Sequence, residues 1–303
     1  MLQNKQTKQM IFCFMAPAVA FFLLIYLYPV ARTVAMSFFH AEGMSDAVKT
    51  WEWCGLENYL TLFKTSIFLD SMKNMLKIWI YGGVITMVIA MLFAAILTSG
   101  VKFRGFYRAV IYIPNIINAV AMATMWISAI FNKRFGFLHN LFEFFGSDLA
   151  KMDYLSGTAK FWSLLVAFCF GSVGYYMLIY MSGIERISGD IYEAATIDGA
   201  SKAQQFFRIT LPLLRGVIKN CIVFWTIGTV GFFVWSQMWS APLASDLPTI
   251  TPFVYMYTIT FGTQGNTERN ASLGATVGVL MTLIVLLVFF VLNRFVKDDD
   301  VEF

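Results

Sequence analysis

The chain has 303 residues, is 58% apolar and only 13% charged, and includes 31 Phe residues at a net charge of +4. Soluble domains are about 45–50% apolar and about 25% charged, so this composition excludes a water-soluble globule and makes lipid the solvent. The small positive balance gives no argument for nucleic acid, and no long mixed, charged stretch exists to build a separate soluble domain.

Residues 1–9 are polar and carry Lys5 and Lys8. The run from Met10 to Ala31 is too long for the apolar core of a signal peptide and lacks a clear small-residue cleavage site. It reads as a first spanning helix, since about 20 apolar residues suffice to cross, with a bend near Pro17 and Pro29 near its far end. Residues 40–73 form a mixed loop whose Trp51, Trp53 and Tyr59 suit the headgroup level. Leu76 to Thr98 is the second span, where Gly82 and Gly83 let another helix come close.

Lys102, Arg104 and Arg108 fill the short connection to a third span, about Ala109 to Phe131. Asn115 and Asn118 follow Pro114 in it. Amides in lipid need a protein partner or a wet cavity, so these two serve either interhelical hydrogen bonds or a substrate path. Phe161 to Met181 is the fourth span, with Ser172, Tyr175, Tyr176 and Tyr180. Val217 to Trp239 is the fifth, with Trp225, Thr226, Thr229 and a Gly228–Gly231 pair. A loop with Pro242, Pro248 and Pro252 leads to the sixth, Leu273 to Val296, followed by Lys297 and three aspartates. The expected fold is all-α, a polytopic membrane protein forming one transmembrane domain over residues 1–303.

Between the fourth and fifth spans, residues 184–215 are the clearest polar break in the second half. Asp190 is placed to cap a short helix, with Glu193 reaching back to free backbone donors. Ala194 and Ala195 are small enough for a close approach, and Gly199 suits a sharp corner. Ser201 with Gln204 forms a capping box that starts a second helix, and Pro212 stiffens its far end. The expected product is a helix-turn-helix too polar for lipid, with Phe206 and Phe207 wedging its second helix against the spans. Arg186, Lys202, Arg208 and Arg215 in this segment, and the basic 99–108 turn, face residues 241–272 with only Arg269; the positive-inside rule then puts the segment and both termini in the cytoplasm. Lys49, Lys64, Lys133, Arg134 and Lys151 on the longer 40–73 and 132–160 loops weigh less.

Chemistry-bearing groups are few. Cys13, Cys54, Cys169 and Cys221 form no CxxC pair, and His40 and His139 read as loop residues. No catalytic or metal-ligating constellation emerges, no cofactor is expected, and there is no GxxxxGK[ST] phosphate loop. Energy from ATP would have to enter through another subunit.

Glu193, Ala194 and Ala195, then Gly199, then Ile209, Leu211 and Pro212, stand at the spacing of the cytoplasmic signature of ABC importer permeases, which this segment resembles. The flanking Ile197-Asp198-Gly199-Ala200 is similar to the carbohydrate branch, the maltose-type permeases, as is Gly55 to Tyr59 ahead of the core. The resemblance implies the type I importer permease fold with six transmembrane helices in a bacterial inner membrane. It also implies a second homologous permease subunit, a dimer of ATPase subunits receiving the 192–212 segment, and an extracellular or periplasmic substrate-binding protein. Transport would then proceed by alternating access. For a sugar, whose rings have polar edges and apolar faces, Asn115, Asn118, Ser172, Tyr175, Trp225 and Thr229 are the candidate path residues. Other solutes, such as an amino acid or a polyamine, remain alternatives within this class. An ATP-independent carrier is less favoured: no Pro-x-[Asp/Glu]-x-x-[Lys/Arg] element and no Asn-Pro pair occurs.

Overall fold

The computed structural model describes residues 2–44, 46–240, 247–262 and 269–295. Pro242, residue 296 at the end of the sixth expected span, Lys297 and the acidic tail lie outside the described residues, as do the side chains of Lys5 and Lys8.

Lipid offers no hydrogen-bond partners, so a spanning backbone must satisfy itself as helix. Four helices meet that demand by length and apolarity: α1 (Met10–Met36), α3 (Ser66–Thr98), α7 (Ala159–Ile184) and α13 (Ala271–Phe295). Two bent pairs pass the same test only jointly: α4 (Arg104–Ile116) with α5 (Ala119–Ile130), at 96°, and α9 (Lys202–Leu213) with α10 (Arg215–Val230), at 67°. Counting each pair as one span gives six. Shorter helices fill the connections: α2 (Glu57–Lys64), α6 (Phe137–Phe144), α8 (Gly189–Ile197), α11 (Val234–Trp239) and α12 (Pro252–Phe261). A two-residue antiparallel pairing of β1 (Phe39–His40) with β2 (Glu52–Trp53) and two 3₁₀ turns, Val48–Thr50 and Asp148–Lys151, complete the described elements.

The departures from the expected helix bounds have local causes. In α1 the helix runs through Pro17 and changes instead to a wide π-type turn over Phe22–Leu27, just ahead of Pro29. The same arrangement recurs in α9, where a wide turn over Phe206–Thr210 precedes Pro212. A proline supplies no N–H and crowds the carbonyl four residues back, and widening the turn before it relieves both. The third span is not one helix over 109–131. Ile117 is extended (ψ 133°) and Asn118 caps a new helix, its side chain accepting from the Val120 N–H at 2.9 Å. The fifth expected span, 217–239, is broken after Val230, and α11 is a separate piece. His139 lies on α6, and His40 in β1, rather than in irregular loops.

The chain forms two compact units. The first takes residues up to Ser66 together with Met256–Thr282. In it the buried Asn58, from the Gly55–Tyr59 stretch, donates to the carbonyls of Ser37 (3.0 Å) and Phe39 (2.9 Å), fixing the entry to α2. Trp53 is exposed and Trp51 is buried, with Arg32 stacked 5.6 Å above the Trp51 ring.

The second unit, Ile67–Tyr255 with the chain from Leu283 onward, holds the transport candidates. Its core is α7 packed between α3, α4 and α10, with Ala90, Ala94, Met177, Tyr180 and Cys221 fully or almost fully buried. Glycines allow the close approaches. The α4 backbone lies on Gly174 of α7, where a Cβ would come 2.5 Å from the Ile111 carbonyl oxygen. Gly82 and Gly83 of α3 lie under Trp225 of α10. Gly228, by contrast, faces open space. All four cysteines are free thiols.

Candidate functional site

The polar segment between α7 and α10 folds as two short helices joined by a corner. The cap of α8 differs from the expected one. Ser188, not Asp190, is the N-cap, its side chain accepting from the Asp190 N–H at 3.3 Å. That places Glu193 two residues past the position that reaches back to the cap. Among the described residues no hydrogen bond or ion pair engages the exposed Glu193 carboxylate, so its charge is unspent. Ala194 lies exposed beside it, Ala195 is half-buried, and Ile197 is 86% exposed.

The corner forms where the sequence places it. Asp198 ends α8, and Gly199 takes φ +77°, a left-handed conformation that a Cβ penalises. The Ala200 N–H then turns back to the Ala195 carbonyl at 2.8 Å. The next helix starts with the full capping box: Ser201 Oγ accepts from the Gln204 N–H at 3.3 Å, and Gln204 Oε1 accepts from the Ser201 N–H at 2.7 Å. Ile209 and Pro212 are half-buried, and Leu211 packs onto the core shared by α3 and α7. Of the two phenylalanines, Phe206 joins that core, whereas Phe207 is exposed and meets the Phe206 ring edge-on.

Four residues that sequence reading passes over tie the two helices together. Tyr192 OH and Thr210 Oγ1 share a 2.8 Å hydrogen bond across the corner. Gln205 Nε2 donates to Thr196 Oγ1 (2.9 Å) and to the Ala200 carbonyl (3.2 Å). Their only sequence signal is a set of hydrogen-bonding side chains on the facing sides of two short helices. At the membrane end, Arg104 at the start of α4 pairs with Glu185 at the end of α7 (3.8 Å), both well exposed.

The candidate path residues divide by their surroundings. Asn115 Nδ2 donates to the Gly171 carbonyl at 3.2 Å, tying α4 to α7, and Asn118 is the exposed cap of α5. Ser172 bonds back to the Phe168 carbonyl on its own helix. Tyr175 is part-exposed and meets Tyr176 edge-on. Trp225 is 2% exposed, wedged against Phe168 and Tyr176, and its indole N–H is committed to the Trp79 carbonyl at 2.9 Å. Thr229, one turn further, is buried with its hydroxyl unpartnered among the described residues. A cavity of about 510 Å³ between α3, α4 and α7 is apolar throughout, lined by residues such as Ile89, Phe93, Pro114, Val166 and Phe170, and holds none of these path candidates.

Comparison with known proteins agrees with this architecture. Residues 86–298 match the family described as "Binding-protein-dependent transport system inner membrane component". The chain is similar to the probable ABC transporter permease protein YurN of Bacillus subtilis, 29% identical over 231 residues that cover 75% of this chain and 77% of that one. It is likewise similar to the lactose transport system permease protein LacF of Rhizobium radiobacter, 27% identical over 258 residues and 82% of each chain. In fold it resembles a chain from the crystal structure of a bacterial ABC transporter involved in the import of the acidic polysaccharide alginate. There the TM-score is 0.81 at 19% identity, covering 97% of this chain and 96% of the other. With a helical core, two bent spans and a polar elbow between the fourth and fifth, this chain belongs to the family of inner-membrane permease components of binding-protein-dependent ABC transport systems.

Proposed function

We propose that the chain is one half of a permease pair in an ATP-driven importer that brings a sugar or oligosaccharide into the cytoplasm by alternating access. The observation that carries this reading is the elbow: a protruding short helix with a free carboxylate and two alanines, turned at Gly199 and seated at its base on the spans. In this reading, Glu193 offers its charge to a basic group on an ATPase subunit. Ala194 and Ala195 allow contact at backbone distance, and Asp198 and Gly199 set the corner. Ile209, Leu211 and Pro212 join the elbow to the spans. The termini and the elbow face the cytoplasm in this reading, which the basic residues of the short turns support through the positive-inside rule. A second homologous permease, a dimer of ATPase subunits and a substrate-binding protein outside complete the assembly.

The sugar assignment is supported by the names of relatives. Besides the lactose permease, these include the diacetylchitobiose uptake permease NgcF of Streptomyces coelicolor, 23% identical over 83% of this chain and 73% of that one. Within the chain, Asn115, Asn118 and Tyr175 are the exposed path candidates and Ser172 is half-buried, while Trp225 and Thr229 shape the spans behind them. A non-sugar solute is kept as the second reading because a glycerol-3-phosphate permease of Shigella flexneri is 26% identical over 67% of this chain and 66% of that one. Calorimetry on the partner binding protein, followed by uptake of its ligand in proteoliposomes holding the whole transporter, separates the two. A sugar ligand taken up only with internal ATP supports the proposal. A phosphate ester or amino acid ligand replaces the sugar, and uptake without ATP removes the importer mechanism.

A further inference from the structure

Helix α8 has no buried side chain, so packing does not set its direction. Its connection to α9 runs through Gly199, where the backbone is left-handed and a Cβ would meet nothing within 4 Å. Backbone bonds from Gly199 and Ala200 to the Thr196 and Ala195 carbonyls close the turn onto α8, but they do not tie α8 to the body of α9, so a push on α8 would be absorbed between the two helices. The polar contacts across the corner prevent this, and they close into a ring. Gln205 Nε2 donates to Thr196 Oγ1, which donates to the Tyr192 carbonyl at 2.7 Å. Tyr192 OH meets Thr210 Oγ1, which reaches the Gln205 carbonyl at 3.4 Å across the wide turn of α9.

We propose that Tyr192, Thr196, Gln205 and Thr210 are positioning residues that lock the elbow into a rigid lever. The proposal rests on the docking of the elbow described above. Gln205 is 3% exposed and Thr210 is also buried, so water is kept from their ends of these bonds, while Thr196 closes the ring on the exposed side. Gln205 holds both sides of the corner, through Thr196 on α8 and the Ala200 carbonyl in the turn itself. Below Thr210 the lever is seated on the membrane helices. Leu214 is buried against Gly183 of α7, so closely that a Cβ there would lie 2.8 Å from its Cδ2. Phe206 and Leu211 pack onto the same core. A displacement of α8 therefore passes through Gln205 and Thr210 to Leu214, and from there to α7 and α10.

The test uses the assembled transporter with its own cysteines replaced by alanine. Spin labels go at Ile197 and Leu213, both exposed, and pulsed EPR reads the distance without nucleotide and with ATP and vanadate. The intact ring gives one narrow distance in both states. Thr210→Val keeps the shape and removes the hydroxyl, and Tyr192→Phe removes only the phenol oxygen; each is expected to lose the single narrow distance. Thr210→Ser is expected to restore it. In parallel, a cysteine at the exposed Phe144 is modified by an impermeant maleimide. Its rate changes with ATP and vanadate in the parent protein and stays flat in the two ring variants.

An unchanged distance in Thr210→Val and Tyr192→Phe overturns the proposal. So does failure of Thr210→Ser to restore it, because the defect is then one of packing. An Ile197 label whose own mobility, read from its continuous-wave spectrum, does not respond to ATP and vanadate in the parent protein overturns the docking reading instead. The nucleotide-free distances still report on the ring in that case.

Discussion

Trp225 lies against Gly83: a Cβ at Gly83 would sit 2.8 Å from the indole Nε1, the same nitrogen that donates to the Trp79 carbonyl. The contact is reciprocal, since Trp79 Nε1 donates to Thr226 Oγ1 at 2.9 Å. Gly83→Ala therefore forces the indole off its acceptor. Overpacking of this kind costs about 1–3 kcal/mol, and a lower unfolding temperature of the purified subunit in detergent checks it. Gly228→Ala, facing open space, is the control and is expected to leave that temperature unchanged.

The commitment of Trp225 to α3 also separates structure from substrate contact. Trp225→Phe keeps a ring against Phe168 and Tyr176 and loses the bond to Trp79. A buried hydrogen bond of this type is worth about 0.5–1.5 kcal/mol, so stability falls modestly. The half-saturating ligand concentration for uptake is expected to hold. Tyr175→Ala, at a part-exposed ring, is expected to raise that concentration with little change in unfolding temperature.

At the corner, space and backbone make different demands. A Cβ at Gly199 meets nothing, so the cost of a substitution is conformational alone, about 1–2 kcal/mol for most residues in the left-handed region. Asn visits that region readily, so Gly199→Asn is expected to retain more transport than Gly199→Val. Uptake normalised to the amount of assembled complex measures the difference. Glu193→Lys, which reverses an unpaired charge, is expected to insert and assemble normally and to abolish uptake.

Ser201→Ala removes one half of the capping box. Losing an N-cap costs about 1 kcal/mol locally, and hydrogen exchange at the start of α9 should speed up accordingly. Exchange at Met177, deep in α7, should not change.

What the sequence made legible followed from chemistry that is local in the chain. The apolar runs named the spans, and Gly199 and the Ser201–Gln204 pair named the corner and the helix after it. Prolines signalled trouble, but not its place: the backbone widens ahead of Pro29 and Pro212 while Pro17 stays in regular helix. Asn118 looked like a polar residue in a span because the break that it caps depends on α4 crossing α7 at Gly174. Asp190 looked like the cap because the alternative, Ser188, is two residues earlier and equally suited. Trp225 is a path candidate by residue type, and nothing local says that glycines more than a hundred residues away would lie against its ring. The Tyr192–Thr210 and Gln205–Thr196 bonds were invisible for the same reason: they exist only once the corner has closed.

Ala194→Cys in the assembled transporter puts a thiol on the exposed face of α8, and a short bifunctional reagent reports what lies against it. A covalent product with the ATPase subunit, formed from the cytoplasmic side and varying in yield with ATP, is expected. Modification only from the exterior, or no product with any neighbouring subunit, would contradict the lever.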